Sequence, residues 1–127
     1  MDKKSITALI VTRSTPLSDG LDALLKAIPQ IDEVRIAQNF ENACQQVEIS
    51  KPKIILIDSA LLGNDPTAVL EKVRILSPES HRLLLVDDVQ EIDLMPRYAE
   101  AILVKGSAPS AVAALVIDLL VDEGHAL

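Results

Sequence analysis

The 127-residue chain has almost no aromatic side chains: it contains one Phe, one Tyr and no Trp. Its core must therefore be aliphatic, and hydrophobic residues do make up 49% of the chain. Proteins commonly hold flat cofactors and nucleic-acid bases by stacking them on aromatic rings. The composition therefore argues against a flavin-binding protein and against a base-stacking protein.

Cysteine and positive charge are also scarce. The single cysteine, Cys44, excludes an internal disulfide, and its apolar neighbours predict a small buried hydrophobe rather than a reactive thiol. The formal net charge is -7 and the basic residues form no run, so we expect no direct binding to nucleic acid. His81 and His125 lie far apart in the sequence, and we expect no metal site from them.

The chain also lacks an apolar run long enough for a signal peptide or a membrane-spanning helix. We therefore expect a cytoplasmic protein that makes no membrane contact. Its length suits one domain. We predict a single domain over residues 1–127, with its folded core at about residues 5–123.

Short apolar runs alternate with amphipathic segments along the whole chain. The runs predict five strands, at residues 6–11, 32–38, 53–58, 82–87 and 101–105. Three of them, ITALIV, KIILID and RLLLVD, are unbroken, as is typical of central parallel strands. Helices are predicted in between, with the caps Thr15, Asn39, Asp65 and Ser107, and with a short helix after Asp88 that Pro96 limits.

This alternation predicts an α/β fold. We expect one doubly wound, five-stranded parallel sheet with helices on both faces. In such sheets the functional groups lie at the carboxyl ends of the strands. The groups at those ends are Thr12 and Arg13, Asp58, Asp87 and Lys105.

Asp58 stands out because an unbroken apolar strand leads directly to this one carboxylate. It either takes part in chemistry or caps a helix or turn. An aspartate after the third strand and a lysine after the fifth resemble the receiver domain of two-component response regulators. The matching segments are KPKIILIDSALLG, which contains Asp58, and AILVKG, which contains Lys105, and the resemblance covers about residues 5–123.

The resemblance implies a CheY-like fold with flavodoxin-like topology and a role in phosphorelay signalling rather than an enzymatic activity. It places Asp58 at the phosphoacceptor position and Lys105 at the position of the lysine that binds the phosphoryl oxygens. The implied partner is another protein, either a sensor kinase or an output domain or protein. Receivers also form homodimers, through the first and fifth helices or through the fourth and fifth.

The sequence departs from the receiver pattern in four places. Thr12 and Arg13 stand where an acidic pair would hold magnesium, and Asp87 stands where a Ser or Thr would contact the phosphoryl group. Ile102 replaces the aromatic residue that reorients in the family. The segment between Asp87 and Lys105 is also shorter than usual, which favours a homodimer through the first and last helices.

These departures favour a pseudo-receiver that acts by phosphorylation-independent protein–protein interaction and needs no cofactor. On this hypothesis Arg13 and Lys105 both neutralise Asp58, although Arg13 facing solvent is nearly as well supported. Asp87 pairs with Arg13 or Lys105, or is exposed. The alternative is a functional receiver that a histidine kinase phosphorylates at Asp58 with magnesium as cofactor.

A remote alternative is a flavodoxin-like module that binds a small ligand. The segment VTRSTPLSDG faintly resembles the phosphate-binding loop of flavodoxins because Thr12, Ser14 and Thr15 supply hydroxyl groups before a predicted helix. The loop lacks the small-residue pattern, however, and the chain offers no aromatic residue to stack a flavin.

Overall fold

The computed structural model describes residues 5–63, 65–88 and 99–122. In these residues the strands are β1 (Thr7–Val11), β2 (Glu33–Ala37), β3 (Ile54–Asp58), β4 (His81–Val86) and β5 (Ala101–Val104). The α-helices are α1 (Thr15–Lys26), α2 (Phe40–Ser50), α3 (Pro66–Leu76) and α4 (Pro109–Asp122), and a 3-10 turn covers Ser59–Leu61. The predicted short helix after Asp88 falls mostly on residues 89–98, which lie outside the described residues.

The five strands form one parallel sheet in the order β2-β1-β3-β4-β5. At the centre of the sheet, Leu56 of β3 pairs with Ile10 of β1 on one side and with Leu83 of β4 on the other. The chain passes from β1 outward to β2 and then returns to β3 on the other side of β1. This reversal is the topological switch point, and it places the ends of β1 and β3 next to each other.

Aliphatic side chains bury both faces of the sheet, because successive residues of a strand point to opposite faces. On one face, α1 and α4 cover a cluster that includes Ile10, Leu56 and Leu83. On the other face, α2 and α3 cover a cluster that includes Ile55, Ile57 and Leu84. The prediction of a doubly wound parallel sheet with helices on both faces is confirmed.

Side-chain caps set the starts of the first three helices. Asn39 caps α2 and Asp65 caps α3, as predicted. The cap of α1 is Ser14 rather than Thr15: the Ser14 hydroxyl accepts the amide hydrogen of Leu17 at 3.3 Å. Helix α1 therefore begins one residue earlier than the sequence predicted.

Helix α4 begins without the predicted cap Ser107. The Ser107 hydroxyl donates to the carbonyl oxygen of Val104 at 2.6 Å instead, and the carbonyl of Ala108 accepts the amide hydrogens of Ala111 and Val112. Between β5 and this start, Gly106 adopts a φ of 87°, a conformation that favours glycine. The chain therefore turns sharply from the end of β5 into α4.

Cys44 on α2 is half-buried rather than buried as predicted. Burial raises the pKa of its thiol, and the charge of Glu48 adds to this while that of Lys72 opposes it. The thiol is therefore protonated at neutral pH and a poor nucleophile.

Across the described residues, each helix is too short or too polar to span a bilayer.

Candidate functional site

The carboxyl ends of four parallel strands meet at one edge of the sheet and carry the polar groups that the sequence singles out. Thr12 follows β1, Asp58 is the last residue of β3, Asp87 follows β4, and Lys105 follows β5. The structure brings these four side chains into one connected cluster. We call it the strand-end cluster.

Asp58 lies at the centre of the strand-end cluster and is 4% exposed. Its Oδ2 atom accepts a hydrogen bond from the Thr12 hydroxyl at 2.7 Å. Its Oδ1 atom accepts the backbone amide hydrogen of Ala60 at 3.0 Å and lies 2.5 Å from the Lys105 ammonium nitrogen. Groups of the chain itself therefore engage both carboxylate oxygens.

Lys105 joins two carboxylates. Besides Asp58, its Nζ atom lies 3.0 Å from Oδ1 of Asp87. The Lys105 side chain is 21% exposed, whereas that of Asp87 is 66% exposed. Of the alternatives that the sequence left open for Asp87, the structure shows the contact with Lys105.

The hydrogen bonds and charges of the cluster shift two pKa values. Burial acts to raise the pKa of Asp58, but the hydrogen bonds from Lys105, Ala60 and Thr12 and the positive charge of Lys105 outweigh it, so the pKa is lowered. Burial acts to lower the pKa of Lys105, but its contacts with Asp58 and Asp87 outweigh this effect and raise it. At neutral pH the cluster therefore holds charged Asp58 and charged Lys105.

The structure corrects the expectation that Arg13 neutralises Asp58. Arg13 is exposed, and within the described residues it forms no ion pair with Asp58. The neighbouring Thr12 is 1% exposed, and its Oγ1 atom also accepts the amide hydrogen of Ser14 at 3.1 Å. This bond accompanies a turn of the chain just after β1. Thr12 points inward there and Arg13 points outward.

The described residues do not fit a magnesium ion of the kind that receivers bind. Magnesium takes hard oxygen ligands with negative charge in an octahedral arrangement. Here the single interior carboxylate, Asp58, already accepts from Thr12, Ala60 and Lys105. No group of three or more His, Cys, Asp or Glu residues suited to a metal ion occurs among residues 5–63, 65–88 and 99–122.

The alternative that Asp58 caps a turn is confirmed, although the sequence did not identify the donor, the backbone amide of Ala60. Asp58 is the N-cap of the 3-10 turn Ser59–Leu61 and accepts the Ala60 amide hydrogen there. Aspartate often accepts an amide hydrogen two residues further along the chain, so a turn after the strand was the available signal. The capping role and the ion pair with Lys105 therefore coexist in one residue.

Ile102, at the position of the family's switch aromatic, is half-buried on β5 and packs against the apolar cluster under α2 and α3.

At the opposite, amino edge of the sheet, Glu100 contacts His81 at 2.9 Å and Arg82 at 3.7 Å. Burial lowers the pKa of Arg82, and the charge of Glu100 opposes this. This second polar group joins β4 to the residue before β5, away from the strand-end cluster.

Thr12→Val tests the hydrogen bond to Asp58 with little change of side-chain shape. We expect the free energy of unfolding at pH 7 to fall by about 2 kcal/mol, because the lost bond ends on a buried charged group. The pKa of Asp58 rises, because Thr12 is one of the groups that lower it. Unfolding by urea, followed by circular dichroism from about pH 2 to pH 7, measures both effects.

The pH dependence follows from the direction of that shift. Asp58 stabilises the fold above its ordinary pKa of 3.8, and the contribution is lost as the pH falls through its lower pKa in the folded protein. In Thr12→Val the loss begins near the same pH, but it is smaller and is complete at a higher pH, because the folded pKa of Asp58 lies closer to 3.8. Thr15→Val is the matched control, since Thr15 is exposed, and it is expected to stay within about 0.5 kcal/mol of the wild type. Equal acid sensitivity of the two variants would contradict a role for the Thr12 bond.

The fold and the cluster together define a class of protein. A five-stranded parallel sheet in the order β2-β1-β3-β4-β5, with an aspartate at the end of β3 touching a lysine after β5, is the architecture of a receiver domain. The sequence resemblance pointed to the same class.

Comparisons with known proteins agree with this class. No family model matches the chain. The transcriptional regulatory protein CitB of Klebsiella pneumoniae is 39% identical over 57 residues, which cover 45% of this chain and 24% of CitB. The matched part therefore spans about a quarter of the length of that relative.

Solved structures of receiver domains match nearly the whole chain. A response regulator from Chloroflexus aurantiacus is 27% identical with a TM-score of 0.79, over 93% of this chain and 99% of that one. A CheY-like receiver domain protein from Methanospirillum hungatei is 20% identical with a TM-score of 0.79, over 95% and 98% of the two chains. The chain therefore has the fold of response regulator receiver domains over nearly its whole length.

Proposed function

We propose that this domain is a pseudo-receiver, which acts through protein–protein contacts and needs no phosphorylation. The observation that carries the proposal is the engagement of both oxygens of Asp58 by Thr12, Ala60 and Lys105. A phosphoacceptor must direct one carboxylate oxygen at the phosphorus atom of the donor. In this chain an incoming donor would have to break a buried hydrogen bond or an ion pair first.

The charge of the strand-end cluster supports the same proposal. Asp58 and Asp87 contribute two negative charges and Lys105 one positive charge, which leaves a net charge of -1. Phosphoryl transfer depends on neutralising the negative charge that develops on the phosphoryl oxygens, and a metal ion commonly does so. With no fitting metal ligands among the described residues and a net negative cluster, the site is unsuited to accept a phosphoryl group.

A groove between α1 and α4 supports a role in protein contact. It has a volume of about 600 Å³, and small or apolar side chains such as Ala23, Ala113 and Ile117 line most of it. The exposed acids Asp19 and Asp118 are the sequence neighbours of the lining residues Gly20 and Ile117. We propose that the occupant is a partner protein whose apolar helix face is flanked by basic residues.

A second copy of the chain is the competing occupant of this groove. The predicted homodimer through the first and last helices would use the same face. It would, however, bring together two chains that each have a formal net charge of -7. The homodimer stays a prediction.

Incubation with acetyl phosphate and magnesium chloride tests the proposed function. We expect intact-mass spectrometry to show no phosphoryl adduct on the wild-type protein, and beryllofluoride with magnesium to leave the amide NMR signals around Asp58 unchanged. Asp58→Asn serves as the control for adducts elsewhere on the chain. The contact between Asp58 and Lys105 is what a phosphoacceptor would also need. An adduct on the wild type that Asp58→Asn lacks would therefore establish the alternative, a phosphorylated receiver.

A further inference from the structure

Lys105 holds two carboxylates that differ in their surroundings. The Asp58 side chain is 6% exposed, and Thr12 and Ala60 bind it as well. The Asp87 side chain is 66% exposed and approaches the same ammonium nitrogen, at 3.0 Å, from the solvent side. An ammonium group has three hydrogens to donate. Two of its contacts are therefore with anions that belong to the chain itself.

We propose that Asp87 is an internal anion that occupies Lys105 and thereby excludes small oxyanions, such as phosphate, from the strand-end cluster. The inference rests on the proposed function, because it explains how the domain keeps the cluster closed to a phosphoryl ligand without the help of a second protein. Asp87 is thus the residue that determines which class of ligand the cluster admits.

The burial of the two carboxylates indicates which contact an external anion would replace. Displacing Asp58 would leave a buried carboxylate without its cation, which is strongly unfavourable. Displacing Asp87 from Lys105 would affect a carboxylate that is already 66% exposed, which is much less unfavourable. The Asp87 contact is therefore the point where an oxyanion from solvent would compete for Lys105.

Charge adds to this competition. With Asp87 present the three charged groups sum to -1, and without its charge Asp58 and Lys105 sum to zero. An oxyanion that contacts Lys105 in the wild type also lies close to the Asp87 carboxylate and is repelled by it. Replacing Asp87 with a neutral residue removes both the competitor and the repulsion, and we expect phosphate binding to strengthen at least tenfold.

The test compares wild-type protein, Asp87→Ser and Asp87→Asn in titrations with inorganic phosphate. Ionic strength is held constant with sodium chloride, and a chelator removes divalent metal ions. The amide NMR signals of Gly106, next to Lys105, and of Ala60, which bonds Asp58, report binding. Asp88→Ser is the matched control, because it removes the same charge from an exposed residue one position further along the chain.

We expect Asp87→Ser and Asp87→Asn to bind phosphate at least tenfold more tightly than the wild type, and Asp88→Ser to bind it less than threefold more tightly. Adding Lys105→Gln to Asp87→Ser is expected to abolish the gain. Equal binding by wild type and Asp87→Ser, an equal gain in Asp88→Ser, or no binding by any variant would each overturn the inference.

This test is independent of the one for the proposed function. It measures reversible binding of phosphate without a phosphodonor or magnesium. A phosphoryl adduct on the wild-type protein would contradict the pseudo-receiver proposal. It would not change the difference in phosphate affinity between the wild type and the Asp87 variants, which tests the inference about Asp87.

Discussion

Lys105→Met is expected to lower the free energy of unfolding by about 2–3 kcal/mol at pH 7. The change leaves the Asp58 carboxylate buried without its cation, and removing one partner of a fully buried ion pair costs about 3–5 kcal/mol. The Lys105 side chain is 21% exposed, so water replaces part of the lost interaction and the loss is smaller. Urea unfolding followed by circular dichroism measures it, since the chain has no Trp for fluorescence.

The pH profile gives this variant a second signature. The pKa of Lys105 is raised, so its contribution to stability is complete below its ordinary value of 10.5 and is lost as the pH rises through the higher folded pKa. Lys105→Met lacks that alkaline loss. In acid, the loss of the stability that ionised Asp58 contributes is complete at a higher pH in this variant. The reason is that Lys105 no longer lowers the pKa of Asp58.

A double-mutant cycle with Asp58→Asn separates the ion pair from other roles of the lysine side chain. In the Asp58→Asn background no buried charge is left stranded, so Lys105→Met is expected to lower the free energy of unfolding by about 1 kcal/mol or less. If the two single changes were simply additive, the contact between Lys105 and Asp58 would contribute nothing to the fold.

Leu56→Ala is expected to have the largest effect on stability, a fall in the free energy of unfolding of about 3–5 kcal/mol. Leu56 is 0% exposed and lies in the central strand of the sheet, between β1 and β4. Truncation leaves a cavity in the cluster that α1 and α4 cover, because a sheet paired on both sides cannot move to fill it.

Ile75→Ala is the matched control for Leu56→Ala. It also shortens an aliphatic side chain to a methyl group, but Ile75 lies on α3 and is 65% exposed. We expect a change within about 0.5 kcal/mol. Chemical denaturation of the two variants under one condition gives the comparison, and a loss of less than 1 kcal/mol in Leu56→Ala would show that the core relaxes into the space.

The sheet could be predicted from the sequence because its central strands carry a strong pattern. β1, β3 and β4 are unbroken apolar runs, and runs of this kind form where both faces of a sheet are covered. Asn39 and Asp65 were recognisable as caps for a related reason, since their side chains complete the first turn of the helix that follows. Both signals are local and depend on few neighbours.

The contacts of the strand-end cluster were harder to predict. Thr12 and Arg13 are consecutive, and it is Thr12 that turns inward, where its hydroxyl bonds Asp58 and accepts the Ser14 amide hydrogen. Arg13 was the favoured prediction because of its charge, whereas the smaller, uncharged Thr12 is the residue that is buried in this fold. Leaving the Arg13 guanidinium in solvent avoids the desolvation that a second cation beside Asp58 would require.

Two further contacts involve the backbone, and the sequence could not assign their partners. The amide of Ala60 binds Asp58, and every residue except proline carries such a donor, so no residue type marks it. Ser107 has the composition of a cap, yet its hydroxyl bonds the carbonyl of Val104 behind it. Serine makes both kinds of bond, so its residue type alone does not distinguish them.

The groups that hold Asp58 are all covalently part of the same chain as the aspartate, which changes how the cluster responds to its surroundings. A bound ion leaves when its free concentration falls below the dissociation constant, whereas a tethered donor has a fixed, high effective concentration that dilution does not alter. Changes in the supply of free ions would therefore leave the Thr12, Ala60 and Lys105 contacts in place. Under the proposed function, the amount of complex formed at the groove between α1 and α4 would follow mass action between this chain and its partner, and the abundance of the two proteins would carry the signal.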